Sequence, residues 1–474
     1  MIKYILKSPV LVLASLVMLL VVSCQKKYPG NIDSPDEVVL KSIKIVNAGA
    51  NGNTVLEGVI DENKKTIWFP RLDPATDLNA IKFQAEMSNG AVLDKDSYAF
   101  VFGTGESAKT NIIKVVNNKR FREYAVTLRL LIPVFGADFG KAQIYDHTAN
   151  SLGNPIYPSF TGAATRGTAF DGEYVLIVTR APGGSHLLKT SDLRNNIISP
   201  IPLNLTGVSG GTFPVNVGAK VKGHTYIANL SGNSAASPLK IYHWSDPTET
   251  PQLLWSAVIP DGGVRLGDNM STNLDANGNG YMFFGDNAAT RIVRLKVTNY
   301  TTISEPMAFA SFTGASYVMS ANRVGSSSDY IFTGYDSPIR LGSETASISY
   351  SLSNTAVPLN GADAHVISFN EERYLVMTTS ARYSNLNQTV ILYVYNITNG
   401  STTREALELF EARTDKSPLY EYPLLGPAGA NSFTQTRWSI TKDSEGKDEK
   451  LTLYAAYNDA GFVIIDFPKK TLDD

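Results

Sequence analysis

Apolar and polar positions alternate with a period of two over much of the chain, and that period, not the 3.6 of a helix, sets the expected elements. Lys41-Ser42-Ile43-Lys44-Ile45 alternates in this way, as does Tyr124-Ala125-Val126-Thr127-Leu128-Arg129-Leu130. Between them, residues 58–69 read GVIDENKKTIWF, two strands around a polar turn. About seven short strands over residues 38–133 predict an immunoglobulin-like β-sandwich, with Trp68 in its core because it sits on an alternating strand. Pro133 to Gly136 reads as a linker.

Beyond the linker a six-fold register emerges. Segments 169–180, 219–230, 273–286, 320–335, 366–380 and 439–458 each hold a strand, a polar turn and a second strand that opens on tyrosine. The tyrosines are Tyr174, Tyr226, Tyr281, Tyr330, Tyr374 and Tyr454, at spacings of 52, 55, 49, 44 and 80 residues. An insertion around residues 404–430 stretches the last spacing. Third strands are expected at 187–188, 239–244, 291–297, 348–352, 390–397 and 462–467, and a Gly-rich stretch precedes each first strand (161–163, 210–212, 262–263, 313–315, 361–362, 429–430). Units of ~45 residues with several short strands are the signature of β-propeller blades. The expected fold is all-β: an N-terminal Ig-like β-sandwich followed by a six-bladed β-propeller over residues 137–470, with a strand from 136–150 closing the ring. A stack of sandwiches is the alternative, which the recurring Gly-rich stretches disfavour.

The N-terminus bears on location. Lys3 and Lys7 precede an apolar run from Val10 to Val22, too short for a membrane span, so residues 1–23 read as an export signal. Val21-Val22-Ser23-Cys24 resembles a bacterial lipobox. The resemblance implies cleavage before Cys24, lipidation of Cys24 and a polar linker over 24–37; a noncleaved N-terminal anchor is the alternative. Cys24 is the only cysteine, so the exported domains would fold without disulfides. The expected location is the outer membrane. Lys26 and Lys27 stand where surface lipoproteins of Bacteroidetes usually carry acids, which leaves cell surface and periplasmic face both open.

Residues GVIDENKKTIWFP, TDLNAIKF, AEMSNGAVL and REYAVTL resemble the Ig-like domains of Bacteroidetes lipoproteins, and 274–296 resembles a blade of NHL-type six-bladed propellers. The whole chain resembles gut Bacteroidetes lipoproteins that pair two such domains. That resemblance implies a neighbourhood of glycan-uptake systems and hence a carbohydrate ligand.

Charge and chemistry narrow the function. A net charge of −2 and a pI near 6.3 offer no basic excess for phosphates, so nucleic acid is not an expected partner. The five histidines (His147, His186, His224, His243, His365) show no metal-ligand spacing, His224 in a hairpin turn and His243 in an outer strand read as surface or packing residues, and G-x-S-x-G, P-loop and G-x-G-x-x-G motifs are absent. No catalytic or metal residue is therefore assigned. Asp275, Asn277 and Asn279 fit a calcium-loop string with Asp286 at its twelfth position, but an Asn-Gly hairpin explains the same residues. Trp244 and Trp255 are expected to pack between blades.

The ligand is expected at a mouth of the central channel, where inner strands converge. The groups expected there are Arg166, Asn216, Asn269, Tyr317, His365 and Arg437, with Asp268, Asp363 and Trp438 beside them. Segment 413–429, carrying Tyr420 and Tyr422, is the expected lid. The resulting expectation is a lipid-anchored, noncatalytic envelope protein binding a glycan or another envelope protein. The alternatives are a glycan hydrolase or lyase using Asp268, Asp363 or Glu421, and a protein-docking scaffold.

Overall fold

The structure, a computed structural model, describes residues 36–103, 105–150, 152–153, 157, 164–312, 318–381, 389–426, 434–457 and 460–472. Cys24 with the export signal, Tyr317 and the Gly-rich stretches 161–163, 313–315 and 429–430 lie outside the described residues. The chain is nearly all-β and divides into two compact units at Pro133 and Val134.

In the first unit, strands Thr54–Glu57, Leu40–Ala48 and Phe83–Met87 form one sheet. Strands Val59–Asp61, Thr66–Trp68, Arg120–Arg129, Ala108–Asn117 and Val92–Leu93 form the other. Ile43, Ile45, Ile67, Tyr124, Val126 and Leu128 fill one shared core. The turn at 61–65 is set locally: Asp61 Oδ1 accepts from the amides of Asn63 and Lys64, both at 3.0 Å. Trp68 is not in this core. It is 54% exposed, while Ile67 and Phe69 on either side are buried. Period-two alternation allows only one phase to face inward, and these two neighbours take it.

The second unit contains, among the described residues, six four-stranded antiparallel sheets. Their first strands are Thr165–Phe170, Phe213–Val221, Ser271–Leu274, Ser320–Arg323, Gly361–Phe369 and Thr434–Lys442. Each second strand carries its register tyrosine. Five sheets use four consecutive strands. The sixth borrows its outer strand, Gln143–Asp146, from the start of the unit and pairs it with Gly461–Pro468, so the two ends of the unit are hydrogen-bonded together.

Packing makes the six sheets a closed circuit. One apolar cluster lies between the first and second sheets, and others follow between second and third, third and fourth, fourth and fifth, and fifth and sixth. A further cluster joins the sixth to the first, with Val175 and Ile177 against Tyr454, Phe462 and Ile464. This two-sided burial explains why second strands such as YVLIVT are continuously apolar. The first strands approach closely as well: a Cβ on Gly167 would lie 2.8 Å from the Cα of Val217.

Two sequence expectations change here. Ile348–Ser351 is the fourth strand of its sheet, because the short strand Arg340–Gly342 has taken the third place. The described part of segment 413–429 is no lid. Helix Thr403–Glu411 buries Ala406, Leu407 and Phe410 against the core, and Tyr420–Leu424 follows as the outer strand of the fifth sheet. Tyr420 packs on Phe139 and Phe467, and Tyr422 donates to Asp146 Oδ2 at 2.7 Å.

Candidate functional site

The six first strands surround one axis and run in the same sense. Their early residues, including Arg166, Val217, Ser271, Ser320, Asp363 and Thr434, line a cavity of about 30 Å³. That is room for one or two waters, not for a sugar. Later residues of the same strands, with the hairpin turns that follow them, line a depression of about 510 Å³.

Around the constriction, polar side chains tie each sheet to the next. Arg180 donates to Asn216 Oδ1, and Asn216 Nδ2 donates to Gly267 O at 2.6 Å. Asn273 Nδ2 donates to Ala321 O at 2.7 Å, and Asn322 Nδ2 to Asp363 Oδ1 at 2.8 Å. Asp363 Oδ2 accepts from the Thr436 amide at 2.8 Å, and Gln435 Oε1 from the Thr168 amide at 2.5 Å, which closes the circuit.

Asp363 is the most heavily used of these groups. It sits at a bulge between Ala362 and His365 with φ of 46°, a left-handed conformation that aspartate tolerates better than most residues. Arg437 Nη1 contacts its Oδ2, and the same nitrogen lies 3.3 Å from His365 Nε2. Burial pushes the Asp363 carboxyl upward, but Arg437, His365 and Asn322 outweigh it and hold the group well below the usual carboxylate range. Arg180 is shifted too. Burial first, then repulsion from Arg166, pulls it down to about 10, with Asp268 offsetting part.

The sequence-identified residues thus fall into two levels. Arg166, Asn269, Asp363 and Arg437 line the constriction, as does Asp268. Asn216 is buried beside it, and Asn269 is engaged with its own sheet, accepting from the Gly285 amide at 2.8 Å. His365 and Trp438 come together at the wide depression. Lys220, Lys222 and Arg323 lie there too and were not singled out from sequence. The signal was present: each polar turn follows an inner strand, so residues flanking the turns mark the wide end.

Several other groups are absorbed by the fold. Asp275 Oδ1 accepts from the amides of Asn277 and Asn279, at 2.8 and 2.9 Å, which is a self-contained hairpin turn. Asp286 stands past the far end of strand Gly280–Gly285, where it accepts from the Thr290 and Arg291 amides, so it does not serve as that loop's twelfth-position ligand. Among the described residues no group of three or more His, Cys, Asp or Glu is arranged to hold a metal ion. Glu421 is on an outer strand, away from the axis. His224 and His243 meet at 2.8 Å, and His224 stacks on Tyr300 at 3.9 Å between centroids. Burial, with His224 and Lys220 nearby, lowers His243 to about 4. Trp244 is buried and donates to Asn204 O at 2.8 Å.

Residues 26–470 match the family described as Domain of unknown function (DUF4623), and the chain belongs to that family. It is similar to a DUF4623 family protein from Bacteroides eggerthii DSM 20697, whose crystal structure was determined at 1.91 Å resolution. The two share 40% identity over 92% of this chain and 99% of that one, with a TM-score of 0.79. The WD40 β-propeller domain of Doa1 matches at 8% identity over 78% of this chain and 92% of that one, TM-score 0.35. BamB from Moraxella catarrhalis matches at 12% identity over 65% and 84%, TM-score 0.32. No curated protein matches.

Proposed function

Taking membership of the DUF4623 family as the premise, we propose that the chain is a lipid-anchored, noncatalytic outer-membrane protein that binds a carbohydrate as part of a glycan-uptake system. In this reading Cys24 carries the lipid, the first unit is an Ig-like spacer, and the six sheets are the blades of a β-propeller. The ligand sits at the wide mouth. The observation that carries the reading is Trp438, half-buried beside His365 in a depression of about 510 Å³. An indole offers a flat apolar face to a pyranose ring, while Lys222 supplies a donor at its rim.

Binding is favoured over hydrolysis by the state of the acids. A general acid needs a raised pKa near working pH, and Asp363 is shifted the other way. Asp268 is held by two contacts from Arg265, at 2.8 and 3.0 Å.

The test is a glycan array probed with protein lacking residues 1–35, with and without calcium, followed by calorimetry on hits. The expected result is a glycan recovered uncut, whose affinity falls at least about tenfold, or ~1.4 kcal/mol, on Trp438→Ala. Cleaved glycan would instead establish the hydrolase or lyase. An array without hits would remove the carbohydrate assignment.

A further inference from the structure

The exposed indole of the first unit marks a second site. Val59 pairs with Trp68, and Trp68 with Thr127, in adjacent strands of the five-stranded sheet. Arg129 lies two residues beyond Thr127 and shares its face. Trp68 and Leu131 are 54% and 53% exposed. With Arg71, Thr127 and Arg129 they border a depression of about 640 Å³, inside the ~300–1,000 Å³ range of small-ligand sites.

Its chemistry is specific. The lining contains two arginines and no acid. The Arg129 guanidinium makes no hydrogen bond or ion pair with any described residue. Arg71 reaches the Leu130 carbonyl at 3.5 Å. Thr127 pairs its hydroxyl with that of Thr110 at 2.8 Å, so a hydroxyl rim borders the indole. A flat aromatic face between hydroxyls and a free planar cation matches a ring with one apolar face, hydroxyl edges and a negative substituent.

We propose that this depression binds an anionic saccharide, with Trp68 under the sugar ring and Arg129 paired to its carboxylate or sulfate. The site is independent of the propeller mouth.

The test uses the protein carrying Trp438→Ala, so that the mouth does not contribute. Tetragalacturonate, its methyl ester, a sulfated chondroitin tetrasaccharide and tetraglutamate are titrated by calorimetry and tryptophan fluorescence. Tetragalacturonate or the sulfated tetrasaccharide should bind, and whichever binds better identifies the anion. Affinity should fall about tenfold or more on Trp68→Ala and on Arg129→Gln, with melting temperature unchanged, and should weaken with added salt. Trp68→Tyr should retain binding, because it keeps an aromatic face. Four results would each overturn the proposal: no binding of either anionic sugar, equal binding of the methyl ester, equal binding of tetraglutamate, or binding that survives Trp68→Ala. A concentration-dependent dimer abolished by Trp68→Ala would also overturn it, assigning the face to a second copy of the chain.

Discussion

The two levels of the central axis draw on the same six strands and use polar residues in opposite ways. At the constriction, Asn322 and Arg437 converge on Asp363, while Asn216 and Gln435 reach groups of the neighbouring sheets. At the wide mouth, a few residues further along, His365 and Trp438 border open space. The difference is one of satisfaction. Where strands converge closely, a buried donor must find a partner in the next sheet, since an unmade hydrogen bond costs about 1–3 kcal/mol. Where the hairpin turns follow, Arg323 bonds back to the Ser326 and Ser327 carbonyls of its own turn and Lys220 to Gly223 O, while Trp438 keeps part of its surface open. Polar residues on an inner strand thus tie sheet to sheet at the narrow end and mostly brace their own hairpin turn at the wide end, with Asn273 still reaching Ala321 O of the next sheet.

The largest break in this comparison should come from Asp363→Asn. Asparagine tolerates the same left-handed backbone and removes only the charge, leaving Arg437 uncompensated. A loss of about 3–5 kcal/mol is expected from the denaturant midpoint, because one partner of a buried ion pair remains. The acid limb of stability should change with it. Asp363 titrates lower in the folded protein than in the unfolded chain, so its contribution is complete above the unfolded value and lost as pH falls toward the folded one. Asp363→Asn should therefore lose stability at neutral pH yet show a shallower decline below about pH 4.

His243 tests the sheet interior away from the axis. Its folded pKa of about 4 lies below an unfolded value near 6.5, so the unfolded chain takes up protons first as pH drops. Stability should decline from about pH 6.5 to pH 4, and His243→Gln should flatten melting temperature against pH in that window. At the mouth, Trp438→Ala should cost less stability than Asp363→Asn while taking the larger share of glycan affinity, read by melting and calorimetry on the same preparations. The smallest effect is expected from Glu421→Gln. An exposed carboxylate on an outer strand should change neither melting nor binding beyond about 0.5 kcal/mol; cleavage of glycan by the unsubstituted protein that Glu421→Gln abolished would instead revive the hydrolase.

Much of the second unit was legible because its signal repeats. The six tyrosines, the polar turns and most third strands stand where period-two reading puts them, and Gln143–Asp146 supplies a closing strand from the expected segment. The fourth sheet misled because Arg340–Gly342 is too short to leave a periodic trace. Segment 413–429 misled because an insertion length says nothing about destination, and its apolar positions were needed to finish a sheet. Trp68 misled for a related reason: alternation gives two faces and does not label the inner one.

What the sequence alone determined is local: strand positions, turns, the six-fold count of repeats and a pool of polar inner-strand residues. Which of those residues meet was decided only in three dimensions. Asn322, Asp363 and Arg437 come from three different sheets, and no spacing along the chain encodes their contact. Tertiary structure also decided which face of an alternating strand meets water, because burial is a competition between sheets. A single strand carries both faces and cannot hold that contest by itself.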